Sequence, residues 1–193
     1  RPGVRVEIFE QERVDRLAGS TYLDKTTSAV LPGIGFISKL GGYSFFGGIH
    51  RGFTPPSSGA LKILNFGENV SNGGLDLKAE KSWNKEIGFR GSFSFIQFEF
   101  SGYHVAIEDL VAAGRGTAFK NLGKANTMGV ETKTTLNFSD LNKILPNIDV
   151  SYSFLRTEII EGKIISNVAG SIGNQVDISG KELPYAPHHT LMA

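Results

Sequence analysis

The sequence predicts an all-β chain, an antiparallel up-and-down meander of about eight strands. Three observations carry this. Runs of residues alternate apolar and polar with a period of two, which gives a strand two unlike faces. Gly-, Asn- and Pro-bearing connections separate the runs. Those connections alternate long and short along the whole chain. The stretch from 82 to 93 sorts most cleanly. Trp83, Lys85, Ile87, Phe89 and Phe93 share one parity, and Asn84, Glu86, Gly88, Arg90 and Ser92 share the other.

Composition narrows the function classes. The formal net charge of the 193 residues is +1, which gives no electrostatic case for nucleic acid. There is no cysteine, so neither a disulfide framework nor a thiolate metal site can form within the chain. No apolar run approaches the roughly 20 residues of a membrane-spanning helix. A transmembrane barrel is still open, because alternating polarity hides from hydropathy windows. The chain opens at Arg1 and stops at Ala193 inside a strand-like run, so it is expected to be an internal fragment of something longer.

In order, the first strand is expected over Val4 to about Glu12, with Val4, Val6 and Ile8 on one face. Helical spacing of Val14, Leu17 and Ala18 offers a rival over Glu10 to Ala18. Asp15 to Ser28 reads as loop. The second strand covers about Ala29 to Lys39. Pro32 cannot donate to a ladder, so it is expected near a strand end. Leu40-Gly41-Gly42 is a tight turn, Tyr43 to Arg51 the third strand, and Gly52 to Lys81 a very long connection. The fourth strand is Ser82 to Gly91, with a short turn near Ser92 to Ser94.

The fifth strand runs from Phe95 to about Glu108, with Phe98 and Phe100 opposite Gln97, Glu99 and Ser101. Asp109 to Asn126 reads as loop. The sixth, Thr127 to Phe138, sets Val130, Leu136 and Phe138 against Glu131, Lys133 and Asn137. Ser139 to Pro146 is a shorter turn with room for one helical turn. The seventh, Asn147 to about Ile159, sets Ile148, Val150, Tyr152 and Phe154 against Asp149, Ser151 and Ser153. Glu161 to Pro187 reads as another long loop, and an eighth strand starts near His188.

Long connections at one end and short ones at the other are the pattern of an outer-membrane barrel, with its extracellular loops and periplasmic turns. The chain is therefore expected to be a fragment of a larger transmembrane β-barrel, with residues 1–193 as one partial barrel domain lacking plug and closure. Ile87, Phe89, Phe98, Phe100, Val130, Leu136, Val150 and Tyr152 should then face lipid from the convex side and stay uncovered by protein. The lumen side would carry Asn84, Glu86, Arg90, Gln97, Glu99, Glu131, Lys133 and Asp149. Both signs of charge occur there, so a selective ion pore is not described. A half-solvated sheet of a soluble all-β binding module would show the same polar face.

Particular motifs add a family resemblance. GGIHRGFTPPS (47–57) followed by LKAEKSWNKEIGFRG (77–91) resembles the barrel of TonB-dependent outer-membrane receptors, and within them the ferric-citrate-type branch. FKNLGKANTMGVE (119–131) and GKELPYAPHHTL (180–191) agree with it. Ala79 departs from the family, which commonly has proline there. The resemblance implies a cell outer membrane of Gram-negative type and a barrel of about 22 strands around a plug. It implies uptake of a ferric chelate, citrate or siderophore, driven by a TonB-type energy transducer acting through a plug outside this chain. No enzyme and no cofactor is implied, since iron would arrive inside its chelate. A passive porin-like or structural barrel is the alternative reading.

The candidate ligand-binding residues are His50, Arg51, Thr54, Arg115, Lys120 and Lys124. His50 and Arg51 stand where the third strand meets the longest loop, and guanidinium groups suit the carboxylates of an anionic chelate. Being adjacent, only one of the two can line the lumen while the strand persists. Arg115, Lys120 and Lys124 outnumber Asp109 in the next loop, although such an excess also describes a solvated loop. Trp83 is expected in the aromatic girdle, against the alternative of an ordinary core tryptophan. Lys85 shares its face and can bend its ammonium to the headgroups. His188-His189 cannot chelate one ion from opposite faces. No nucleophile elbow, zinc-binding helix or phosphate loop occurs.

Overall fold

The computed structural model describes residues 1–15, 20–56, 64–66, 69–71, 77–112, 120–166, 168–170 and 172–193. Eleven strands appear in them: β1 Pro2–Asp15, β2 Ser20–Leu40, β3 Tyr43–Thr54, β4 Leu64–Phe66, β5 Asn69–Ser71, β6 Glu80–Phe93, β7 Ile96–Ala112, β8 Lys120–Leu136, β9 Ile148–Ile165, β10 Gln175–Asp177 and β11 His189–Met192. One sheet takes the order β1-β2-β3-β6-β7-β8-β9-β10, with β11 also on β9; β4 and β5 form a separate hairpin. Every pairing is antiparallel. The expected meander is thus observed. Among the described residues the only helical element is a 3-10 turn, Phe138–Asp140, at the edge of the stretch expected to hold one. None of their helices is long and apolar enough to cross a membrane, which has no bearing on strands.

Toward the long connections the strands run further than expected, while at the other end β7 starts at Ile96 instead of Phe95, β8 stops at Leu136 instead of Phe138 and β9 starts at Ile148 instead of Asn147. Ser20 to Ser28 is strand rather than loop, paired with β1 from Asp15 back to Ile8, so the helical rival over Glu10 to Ala18 does not form before Asp15. β7 and β8 extend through Ala112 and from Lys120, inside the stretch expected to be loop. β9 continues to Ile165 and meets β10 there, where a loop from Glu161 was expected. The strict alternation of connection lengths therefore fails: 137–147 now exceeds 113–119. The alternation of ends survives. Gly41-Gly42, Ser94-Phe95 and 137–147 lie at one end, and the other connections lie opposite. Gly41 takes φ +59, which glycine adopts without steric cost.

Pro32 lies inside β2 instead of near its end. The amide of Gly35 donates to the carbonyl of Arg1, so odd residues of β2 bond β1 and even ones aim at β3. Pairing with β3 runs only from Gly33 to Leu40. The missing donor of Pro32 thus points where that ladder has already ended.

Register sorts the side chains into two faces. Ser38, Phe45, Phe89, Phe100, Thr132, Tyr152 and Leu191 stand side by side in one row. Phe36, Ile87, Val130 and Phe154 stand in the next. The eight residues expected on the lipid side all share this face. Ile87 is 67% exposed and none of the eight is buried. The eight expected lumen residues share the other face, as in the row Ser44-Arg90-Glu99-Lys133-Ser151. The buried apolar residues among those described are few: Ala29, Leu31, Leu77, Ala79, Ala125 and Ile159. Among the described residues no second layer covers the apolar face.

The apolar stretch on that face also climbs. On β9 it ends at Phe154 and on β6 at Ile87, just before Arg156 and Lys85, which share one row. In that same row β3 and β2 still carry Ile49 and Ile34. On β1 it reaches Ile8, several rows further. Strands tilted through a level apolar layer produce this drift.

Candidate functional site

The end bearing the long connections is tied together by polar side chains. Residues 77–79 form a strap between distant strands. Lys25 of β2 donates from Nζ to the Leu77 carbonyl at 3.0 Å, while Lys78 and Asn121 of β8 exchange two bonds of 2.9 and 3.0 Å. β2 and β8 are separated in the sheet by β3, β6 and β7, so the strap spans the mouth of the polar face. Leu77 and Ala79 of the strap are buried. Gln11 donates to the Pro56 carbonyl at 2.9 Å, and the Val111 amide donates to the Glu80 carboxylate at 2.6 Å. These contacts add side-chain links at the same end of the sheet.

The candidates fall in different places. His50 lies on the inner face, between Gly33 and Asn84. Thr54 shares its parity and ends β3, exposed. Arg51 lies on the outer face. Its guanidinium sits 5.2 Å from the centroid of Trp83 and binds Glu108 at 2.5 Å. That bond is the main reason the Glu108 carboxyl is held below its ordinary value; partial desolvation opposes it, and the charges of Arg51, Lys81 and Lys124 reinforce it. Lys124 pairs with Glu161 at 3.1 Å, which removes most of its excess charge from the rim. Lys120 opens β8, opposite Ala112. Arg115 lies outside the described residues. Trp83 has the outward parity, next to Ala106.

The inner wall nearer the tight turns holds an open concavity of about 530 Å³ lined by Arg90, Gln97, Glu99, Lys133 and Thr135. Arg90 and Glu99 pair at 3.6 Å. The neighbouring histidines serve different partners: His188 meets Glu182 at 3.0 Å, and His189 meets the Tyr152 hydroxyl at 2.9 Å. Sequence reasoning missed the strap and the Glu108 partner of Arg51. The spacing of Leu77 and Glu80 ahead of Trp83 was visible, but nothing local said that Lys25 and Asn121 would reach residues 77 and 78.

An up-and-down sheet with an apolar outer face and a polar inner face is the wall of a transmembrane β-barrel. The chain belongs to the TonB dependent receptor-like β-barrel family, whose family model matches residues 1–193. Solved structures similar to it include the ferric citrate transporter FecA in its unliganded form (TM-score 0.65, 18% identity, 98% of this chain and 26% of that one). The ferric-catecholate import receptor Fiu of E. coli K12 gives TM-score 0.61 and 20% identity over 98% of this chain and 28% of its own. The copper transporter OprC gives TM-score 0.60 and 19% identity over 81% and 25%. At such identity the likeness is one of fold. The chain spans about a quarter of the length of these structures. No curated protein sequence matches it.

Proposed function

We propose that residues 1–193 are part of the barrel wall of a Gram-negative outer-membrane receptor that takes up a ferric chelate, citrate or siderophore, with energy supplied by a TonB-type transducer through a plug outside this chain. The family match over the whole chain is the observation that carries the reading. The uncovered apolar face supports a lipid setting and speaks against a soluble module. Among the candidates, His50 and Thr54 have the inward parity a ligand contact needs, and Arg115 is kept for the cationic charge it carries. Arg51 and Lys124 already have acidic partners and rank behind them.

The test uses the full-length receptor with ferric citrate, a ferric catecholate and cupric ion as separate ligands. Calorimetric binding of one ferric chelate, with accumulation into cells that stops when the transducer is deleted, supports the reading. Accumulation independent of the transducer supports a porin-like channel instead. Arg115→Ala is expected to weaken chelate binding about tenfold, the loss of one charge-assisted bond.

A further inference from the structure

On the outer face, one row of register partners runs Lys85-His104-Met128-Arg156 across β6, β7, β8 and β9. It stands directly beyond the apolar row Ile87-Gly102-Val130-Phe154. Lys85 and Arg156 are exposed, and neither forms a salt bridge with a described residue. The nearest outward carboxylates do not serve them: Glu108 is engaged by Arg51, and Glu158, two residues along β9 from Arg156, does not pair with it. By contrast Arg90 on the inner face has Glu99. Two unpaired cations thus face outward about 14 Å apart, three strand spacings, at the edge of an apolar layer.

The row beneath them contains a notch. Four glycines of this sheet are covered by a ring from the next strand: Gly47 by Phe36, Gly91 by Tyr43, Gly88 by Phe46 and Gly129 by Tyr103, of which Gly47 and Gly91 share the outer face with Gly102. Gly102 is not covered. A Cβ there would meet nothing closer than the Gly129 carbonyl oxygen at 3.9 Å. A shallow, open depression of about 240 Å³ lies at this point, lined by Lys85, Glu86, Ile87, Gly102, Tyr103 and His104, with the Glu86 side chain on the opposite parity.

We propose that this is a lipid site: the Gly102 notch takes an acyl chain, and Lys85 and Arg156 hold the anionic phosphate headgroup above it. The occupant is a membrane lipid with net negative charge. An unpaired cation beside an apolar slot recognises that combination, whereas a free phosphate has no use for the slot. The proposal rests on the outer face lying in lipid and is independent of which chelate is carried.

The experiment is native mass spectrometry of the folded full-length receptor in detergent, after incubation with phosphatidylglycerol, with phosphatidylcholine or with inorganic phosphate at equal concentration. The parent should retain phosphatidylglycerol and not phosphatidylcholine, and inorganic phosphate should not displace it. Lys85→Gln and Arg156→Gln keep much of the side-chain stem and should each lower retention about fivefold. Gly102→Phe fills the notch and should lower it with both cations intact. Circular dichroism verifies folding of each variant, and chelate binding, read separately, is expected to be unchanged. Equal retention of phosphatidylglycerol by the parent and the Lys85→Gln/Arg156→Gln double variant would overturn the proposal, as would displacement by inorganic phosphate. Loss of retention in the cation variants with none in Gly102→Phe would overturn the acyl-chain part.

Discussion

The two faces of this sheet follow opposite rules. On the outer face the large apolar side chains, Phe45, Ile87, Phe89 and Phe100, are left exposed. On the inner face the buried residues include small and polar ones, Ser101, Ala125 and Thr157, beside the apolar Leu31 and Ile159. A protein that meets water on both sides would arrange this the other way round, since exposing apolar surface costs roughly 25 cal/mol per Å². The difference teaches that the outer face was selected for a solvent other than water. The inner face carries paired charges and glycines packed under rings, as a wall facing protein and water would.

The largest break in that contrast is a charge in the middle of the apolar rows. Phe100→Arg should destabilise the lipid-embedded protein by roughly 2–4 kcal/mol, while Gln97→Arg on the inner face, three residues away, should cost about 0.5 kcal/mol or less. Urea unfolding of the full-length protein in lipid vesicles measures both. Equal costs would mean the faces are not different environments.

Glycines sharpen the comparison with a smaller effect. A Cβ at Gly129 would fall 2.5 Å from the Phe154 carbonyl oxygen and from the Tyr103 hydroxyl oxygen, so Gly129→Ala should cost about 1–3 kcal/mol. Gly102→Ala meets open space, and restricting the unfolded chain there should leave stability unchanged or raise it by about 0.5 kcal/mol. The same unfolding assay separates the two.

How much of this was legible in the sequence depends on the region. Within the apolar band the parity of Ile87, Phe89 and Phe100 against Glu86, Arg90 and Glu99 assigns each side chain its face, because a one-residue slip would reverse them all. Beyond the band that signal vanishes. Thr21 to Ser28 and Asn121 to Asn126 are strand, yet neither stretch alternates polar and apolar residues as the band does, and backbone pairing with the neighbouring strands defines their register. They look like loop for that reason. The climb of the band from Phe154 to Ile8 is a property of strand tilt and is written in no single strand. His50 and Arg51 were separable by parity, but the Glu108 partner of Arg51 lies on β7 and only the register between β6 and β7 brings it near.

The smallest effect lies just outside the band. The Arg51 bond depresses the Glu108 carboxyl below its ordinary 4.5. A depressed folded pKa contributes stability that is present above the ordinary value and lost as pH falls through the depressed one. The Glu108 side chain is 47% exposed, so solvent screening limits the contribution to under about 1 kcal/mol. Glu108→Gln should remove that increment at neutral pH and converge with the parent in acid, in unfolding measured across the pH range.

The central claim is that neighbouring residues of one strand meet lipid and water by turns. The 193 residues contain no cysteine, so single thiols at Gln97, Phe98, Glu99, Phe100 and Ser101 can carry a spin label one at a time without a competing site in this chain. Collision rates with oxygen, which concentrates in lipid, and with a water-soluble nickel complex are then read in the full-length protein in vesicles. The account predicts oxygen-rich, nickel-poor collisions at 98 and 100 and the reverse preference at 97, 99 and 101. A profile with no period of two, or nickel access as high at 98 and 100 as at 97 and 99, would contradict it.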